Sequence, residues 1–148
     1  MAAPDTAPLD IDRLRADEIA SAVALWHEAG LTRPWNDPVA DAHRALGCPN
    51  ATILAGRIAD RLVGTALVGE DGHRGWVYYL AVAADRRALG YGRVLMRAAE
   101  AWVAARGIAK MNVMVRTDNA GIAAFYRAVG YEQSEVSVLA RWLKDPDR

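Results

Sequence analysis

The sequence contains a single cysteine, Cys48, in 148 residues. One cysteine cannot form a disulfide within its own chain, and this scarcity is typical of proteins from a reducing compartment. Cys48 stands beside Pro49, and no candidate base lies next to it, so the sequence does not predict a nucleophilic thiol. We therefore expect a cytoplasmic protein that does not depend on disulfides or on a cysteine nucleophile.

Long apolar runs and an excess of one charge are also missing. No run approaches the roughly 18 apolar residues of a membrane span, so we expect no membrane partner. The formal net charge is +0 and the pI about 6.8, which argues against a nucleic-acid partner. The first eight residues have neither a basic nor an apolar stretch and are not a signal peptide. We predict a flexible tail over residues 1–8, a single domain over residues 9–148, and no metal site.

The most informative stretch runs from Trp76 to Arg106. Its apolar start, Trp76–Val82, predicts a strand buried on both faces. A charged turn and two glycines, Gly90 and Gly92, follow, and then apolar residues recur at the spacing of a helix. A glycine loop that opens a helix presents free N–H groups where the peptide dipoles favour an anion. This stretch therefore predicts an anion site between a strand and a helix.

The remaining elements place this unit inside a mixed sheet. Alternation and cap signals predict the order β-α-α-β-β-β-α-β-α-β. The predicted strands outside the central unit are residues 9–15, Thr52–Ile58, Leu62–Gly69, Met111–Arg116 and Tyr131–Leu143, the last as one bent strand or two short ones. We expect an α/β (α+β) fold in which an antiparallel meander leads to a crossover helix.

Two motifs resemble those of the GNAT superfamily of acyl-CoA-dependent N-acetyltransferases. The first is Arg-x-x-Gly-x-Gly, which here runs from Arg87 to Gly92. The second is an asparagine followed seven residues later by a tyrosine and then by Gly-Tyr, here Asn119, Tyr126 and 130–131. Within the superfamily the chain looks like the small bacterial YpeA-type proteins, and it is also similar to the enzymes that acetylate ribosomal-protein N-termini. The resemblance implies a mixed, mostly antiparallel, twisted sheet of six to seven strands with about four helices, split between strands four and five.

The resemblance also implies a site for acetyl-CoA. The implied cofactor-binding residues are Leu80, Ala81, Val82, Arg87, Ala88, Leu89, Gly90, Tyr91, Gly92, Arg93, Asn119 and Tyr126. The pyrophosphate would bind the N–H groups around Leu89 to Arg93, and the pantetheine arm would pair with the central strand like an added β-strand. The Val82 amide would donate to the thioester oxygen, and Tyr126 would stabilise the departing thiolate.

The general base is left open by the sequence. In the ribosomal-protein group a carboxylate on the fifth strand takes this role, whereas the matching residue here is Met114. Candidates are Asp71, His73 and Tyr79, or an ordered water, although His73 also fits an exposed turn histidine. An α-amine with a pKa of about 7.8 is roughly one third neutral near pH 7.4, and a lysine amine is only about one part in a thousand neutral. A site without a strong base favours an amine of low pKa.

The acceptor itself is not identified by the sequence. The loop between the first two helices carries Trp35 and Asp37, which either line the acceptor cleft or fill the core and cap the second helix. We expect acetyl transfer by direct attack of a primary amine, on a small molecule or a peptide N-terminus, catalysed by a monomer or homodimer. Two alternatives stay open: a non-catalytic acyl-CoA-binding or regulatory domain, and a domain for a phosphate ligand unrelated to CoA.

Overall fold

The computed structural model describes residues 7–145. The chain divides into two compact units, Met1–Val113 and Met114–Arg148. The first six residues of the predicted tail lie outside the described residues. At its end, the carbonyl of Ala7 accepts a hydrogen bond of 2.7 Å from the hydroxyl of Tyr91, so this part of the tail is anchored.

The described residues form five strands and four α-helices. The strands are β1 Asp10–Arg13, β2 Ala51–Ile58, β3 Arg61–Glu70, β4 Gly75–Val82 and β5 Met111–Val113. The helices are α1 Ile19–Glu28, α2 Pro38–Gly47, α3 Tyr91–Ala104 and α4 Ala120–Ala128, with 3-10 turns at Ala16–Glu18 and Ala84–Arg86. The predicted element order is confirmed from β1 to α4.

The strands form one sheet in the order β1-β2-β3-β4-β5. The first three pairings are antiparallel, and β4 pairs with β5 in parallel. The predicted mixed, mainly antiparallel sheet is therefore confirmed, but the predicted number of six to seven strands is wrong for the described part of the chain. No strand forms over residues 131–143, although Val136, Val138 and Leu139 alternate in part. Their side chains are 66 to 94% exposed, because no sheet edge pairs with this segment.

The two faces of the sheet are covered by different helices. On one face, α1 and α2 pack with β2 and β3 in a core that includes Trp26, Ile53 and Val63, none of which is exposed. Side chains alternate across a strand, so Gly64 faces the opposite side from Val63. A Cβ at Gly64 would lie 2.8 Å from Leu95 of α3. Gly64 and Gly75 both face α3. Because neither has a side chain, α3 can pack closely against this face of the sheet.

A β-bulge interrupts β4. Tyr78 pairs with Leu67 and Ala81 with Thr65, so two residues of β4 lie opposite one residue of β3. Tyr79 has a φ of 51°, a left-handed conformation that is uncommon for a bulky side chain. The prediction that this strand is buried on both faces is wrong: only Gly75, Val77 and Ala81 are buried and Tyr78 is 43% exposed, because β5 lies beside only the first three residues of the strand.

Helix α2 begins and ends at local signals. The Asp37 side chain accepts a hydrogen bond of 3.1 Å from the N–H of Ala40, and Pro38 is the first helical residue. At the other end Cys48 is the C-cap and is exposed. The thiol therefore lies at the surface, at the end of the second helix.

A buried ion cluster joins β1, the first 3-10 turn and β2. Arg57 is 4% exposed and donates to both carboxylate oxygens of Glu18, to Asp12 and to the carbonyl of Arg13. The Arg57 guanidinium is the main reason that the pKa of Glu18 falls to about 2. The two charges compensate each other inside the fold, where a lone charge would be costly.

Candidate active site

The edge of β4 is open along most of its length. Only Gly75–Val77 pairs with β5, so among the described residues no strand covers residues 78–82 on that side. β5 pairs over its whole length and ends at Val113, so the predicted divergence of the fourth and fifth strands stays a prediction. The N–H of Ala83 donates to the carbonyl of Val63 on β3 (2.7 Å). Because successive residues direct their N–H groups to opposite sides, the N–H of Val82 points to the open side.

The open edge leads into the Arg87–Gly92 motif. Ala88 and Gly90 have φ values of 61° and 88°, and Gly90 is the N-cap of α3 without a side-chain cap. The first N–H groups of α3, at Tyr91 and Gly92, follow directly and have no intrahelical acceptor. Positive electrostatic potential is expected at this position from the helix dipole and the arginines. One arginine of the motif, Arg87, donates through Nε to the carbonyl of Val82 (3.0 Å), which ties the loop to the end of the strand.

The second motif lies on α4. Asn119 is the N-cap, and its side chain accepts a hydrogen bond of 3.0 Å from the N–H of Ile122. Tyr126 is buried, with edge contacts to the rings of Phe125 and Tyr131. Burial raises the pKa of Tyr126 to about 12, so its phenol remains protonated at neutral pH. A protonated phenol can donate a hydrogen bond to an anion.

A cleft of about 430 Å³ lies beside the bulge of β4. The lining combines apolar side chains with five polar or aromatic groups that converge from the loop before α2, from α2 and from β4. The lining residues are Leu31, Asn36, Asp41, Arg44, Ala45, Leu67, Tyr78 and Tyr79. Because of the bulge, two consecutive tyrosines of β4 line the same cleft.

The polar centre of the cleft is Asp41. Its Oδ2 accepts a hydrogen bond of 2.9 Å from the hydroxyl of Tyr79, and its Oδ1 lies 3.3 Å from Nη2 of Arg44. Burial, and after it the hydrogen bond to Asp41, raise the pKa of Tyr79 well above its usual range. The phenol of Tyr79 therefore stays protonated and points its proton at a carboxylate.

Two buried side chains hold Tyr79 in its strained conformation. The indole ring of Trp26 stacks on the ring of Tyr79 at 4.0 Å between centroids. Trp26 Nε1 donates to Thr65 Oγ1 (2.8 Å), and this hydroxyl donates to the carbonyl of Tyr79 (2.8 Å). Both Trp26 and Thr65 are fully buried. A left-handed residue costs on the order of 1–3 kcal/mol, and these contacts offset that cost.

Asp71 and His73 lie in the turn that joins β3 to β4, at the far end of the strand from Val82. Asp71 accepts hydrogen bonds from the backbone N–H groups of Arg74 and His73 and from Nε1 of Trp76. These bonds, with that from Arg74 largest, hold the pKa of Asp71 below its usual range. His73 is exposed. Gly75 and Val82 are seven residue steps apart along the strand, roughly 23 Å, so the turn is remote from the end of β4.

The residues of the loop before α2 agree only in part with the roles predicted for them from the sequence. Trp35 is 43% exposed, which excludes a role as a core plug, and the neighbouring Asn36 lines the cleft. Asp37 caps α2 and also adds to the field that raises the pKa of Tyr79. Sequence reasoning missed Asp41 and Arg44, which look like ordinary polar residues of an amphipathic helix.

The described part of the chain contains neither a candidate membrane span nor a candidate metal cluster. No helix there has both the length and the apolar character that crossing a membrane demands. Among residues 7–145, no group of three or more His, Cys, Asp and Glu side chains is arranged to hold a metal ion.

Solved structures with the same fold include an aminoglycoside N-acetyltransferase, AAC(6')-Iy, in complex with CoA. It has a TM-score of 0.78 and 16% identity, with 97% of this chain and 100% of that chain covered. A ribosomal-protein-alanine N-acetyltransferase from Brucella melitensis biovar Abortus has a TM-score of 0.71 and 21% identity, with 90% and 99% covered. At these identities the likeness concerns the fold.

Sequence relatives are closer. An acetyltransferase of Yersinia pestis is 35% identical over 135 residues, which cover 91% of this chain and 96% of the relative. One from Sodalis glossinidius is 37% identical over 131 residues, with 88% and 92% covered. The model of the acetyltransferase (GNAT) family matches residues 18–131. The open β4 edge, the glycine loop at α3 and these similarities lead to one conclusion: the chain belongs to the GNAT family of acetyltransferases.

Proposed function

We propose that the protein transfers an acetyl group from acetyl-CoA to a primary amine by direct attack in a ternary complex. The observation that carries the proposal is the open edge of β4, which leads directly into the uncapped N-terminus of α3. An unpaired strand edge offers hydrogen bonds to the amides of a pantetheine arm, and a helix N-terminus attracts a diphosphate. A structural neighbour that was crystallised with CoA supports this choice of donor.

Residues of the two motifs take the following roles in the proposal. The N–H groups of the loop and of the first turn of α3 bind the pyrophosphate, and Leu80 to Val82 pair with the pantetheine arm. The N–H of Val82, which points to the open side of β4, donates to the thioester oxygen as negative charge develops. Tyr126 donates a hydrogen bond to the departing thiolate, in keeping with its protonated phenol.

The acceptor binds in the cleft beside the bulge. Its volume of about 430 Å³ suits a small amine or the end of a peptide. The carboxylate of Asp41 lies in this cleft and attracts a cationic amine. Acetylation of aminoglycosides and of ribosomal-protein alanine by structural neighbours supports an amine as the acceptor class.

The proposed donor site is tested with two variants at Gly90 whose side chains differ in charge but not in size. Gly90→Asp and Gly90→Asn introduce side chains of equal size, and both residues tolerate a left-handed conformation. We expect the aspartate variant to bind acetyl-CoA at least about tenfold more weakly than the asparagine variant in calorimetry, because a carboxylate a few ångströms from a diphosphate costs more than about 1.4 kcal/mol.

Gly107→Asp is the matched control. Gly107 also has a positive φ, 79°, and open space around its Cβ position, but it follows the opposite end of α3. The Kd of the Gly107→Asp variant for acetyl-CoA should stay within about twofold of the wild-type value. Equal affinities of the two Gly90 variants would contradict the placement of the pyrophosphate, and a wild-type protein that binds no acetyl-CoA would refute the proposed function as a whole.

A further inference from the structure

We infer that Tyr79 and Asp41 form a proton relay that serves as the general base of the transfer reaction. This inference rests on the proposed function and supplies the group that neither motif contains. Its starting point is geometric: Tyr79 and Asp41 both line the cleft, and the hydroxyl of Tyr79 donates to Asp41 Oδ2 at 2.9 Å.

The other candidate residues of the chain are poorly placed to act as the general base. Asp71 is engaged by two backbone N–H groups and an indole in its own turn, and His73 is exposed in that turn at the far end of β4. Met114 carries no base. Tyr79 lies three residues before Val82, whose N–H is the proposed donor to the thioester oxygen. Tyr79 is thus on the same stretch of β4 as the proposed donor to the reacting carbonyl, and Asp41 of α2 is its hydrogen-bond partner in the cleft.

The relay moves two protons in one step. As the nitrogen of the neutral amine forms its bond to the acyl carbon, its N–H proton passes to Oη of Tyr79, while the phenolic proton of Tyr79 passes to Oδ2 of Asp41. The C–S bond then breaks, and its electron pair leaves with the CoA sulfur. Asp41 returns its proton to water, since its side chain is 33% exposed. No free phenolate forms at any point, which agrees with the raised pKa of Tyr79.

The strain at Tyr79 has a reason in this scheme. A left-handed tyrosine inside a strand persists only when its surroundings hold it, and such outliers gather at functional sites. Trp26 stacking and the hydrogen bond from Thr65 fix the ring and the carbonyl of Tyr79, and α2 presents Asp41 to the hydroxyl. Three elements therefore converge on the orientation of one O–H group, as pre-organised proton transfer requires.

The test compares Tyr79→Phe, Asp41→Asn and the double variant. Wild type is first assayed against a panel of peptides with free N-termini, aminoglycosides and diamines, and with water alone as the nucleophile, by chromatographic measurement of CoA release. For the fastest nucleophile we expect each single variant to lower kcat about 100-fold or more. The Kd for acetyl-CoA should stay within about twofold of wild type. The double variant should be no slower than the slower single variant, because two members of one relay do not act additively.

Asp60→Asn is the matched control for the loss of a carboxylate. Asp60 is exposed in the β2–β3 turn, and asparagine tolerates its φ of 66°. Its kcat should equal that of wild type.

Each other outcome overturns the relay. Single variants that retain wild-type kcat would exclude both residues from proton transfer. Losses that multiply in the double variant would show separate roles, and a raised KM with unchanged kcat would reduce Asp41 to substrate binding. A wild type that binds acetyl-CoA but releases CoA with none of these nucleophiles would refute the relay and the transfer function together. If wild type turns over normally while the variants fail these expectations, only the relay is refuted.

Discussion

The role proposed for the hydroxyl of Tyr126 can be tested by removing that hydroxyl. Tyr126→Phe removes one oxygen and keeps the ring contacts with Phe125 and Tyr131. We expect kcat to fall about tenfold to a hundredfold, because a charge-assisted hydrogen bond to the leaving thiolate is worth about 1.5–3 kcal/mol. Steady-state kinetics give kcat, and calorimetry should return an acetyl-CoA Kd close to that of wild type. An unchanged kcat would remove Tyr126 from the mechanism.

Individual residues differ in how far their sequence context reveals them. Asp37 precedes a proline at a helix start, so its capping role was predictable from two adjacent residues. Asp41 lies four residues further on and reads as part of a solvated helical face. Its importance comes from Tyr79, which is 38 residues away in the chain and approaches it only in the folded structure. Local patterns therefore predicted the cap, and only the packing of α2 on the sheet reveals the cleft.

At the scale of elements, the contact between β4 and α3 depends on the absence of a side chain at Gly75. A Cβ at this position would lie 2.6 Å from Cγ1 of Val103, which is 3% exposed. We expect Gly75→Ala to lower the free energy of unfolding by about 1–3 kcal/mol through overpacking, measured by urea denaturation.

Two further variants separate overpacking from a general intolerance of alanine. Val103→Ala combined with Gly75→Ala removes the clash, so the double variant should lose less stability than the two single losses added together. Gly47→Ala, at the end of α2, meets no atom within 4 Å and should leave stability unchanged or slightly raised. Additive losses at Gly75 and Val103 would contradict the close approach of α3.

Element boundaries were predictable wherever a local signal marks them. Gly90 and Asn119, which open α3 and α4, both belong to the two motifs of the sequence. The bulge at Tyr79 has no such signal, because it arises from the register between β3 and β4 rather than from the run Trp76–Val82 itself. An unbroken apolar run predicts a strand correctly, but it contains no information about which residue lacks a partner on the neighbouring strand.

At the scale of the molecule, the buried ion cluster predicts how stability responds to acid. Glu18 has its pKa lowered from an ordinary value of 4.5 to about 2, mainly by the hydrogen bonds from Arg57. Its contribution is therefore complete above about pH 4.5 and is lost as the pH falls toward 2. We expect Glu18→Gln to lower the free energy of unfolding at pH 7 by on the order of 3 kcal/mol, and the difference from wild type to shrink below pH 4.5.

Asp17→Asn provides the control, since Asp17 is 81% exposed and pairs with Arg15 only at the surface, 3.5 Å away. This variant should change stability by less than about 1 kcal/mol and keep the acid response of wild type in urea titrations between pH 7 and 3. A gap between Glu18→Gln and wild type that stays constant over this range would contradict the assignment of the acid response to Glu18.

The family and the order of elements could be predicted for the molecule as a whole, because periodicity and two spaced motifs extend over most of the chain. The absence of the last predicted strand could not be foreseen from the sequence. Alternating residues such as Val136 and Val138 satisfy the pattern of a strand, but a strand also requires an edge with which to pair, and residues 131–143 have none in the structure. A short stretch of sequence does not show whether another strand is available to pair with it.

The position of Cys48 has a practical consequence for spectroscopy. It is the sole cysteine of the sequence and is exposed at the end of the helix that carries Asp41 and Arg44. A maleimide dye can therefore be attached to one position at the end of α2 without any engineering. Colorimetric thiol reagents will likewise register one equivalent per chain before any CoA is released, and Cys48→Ser removes that background.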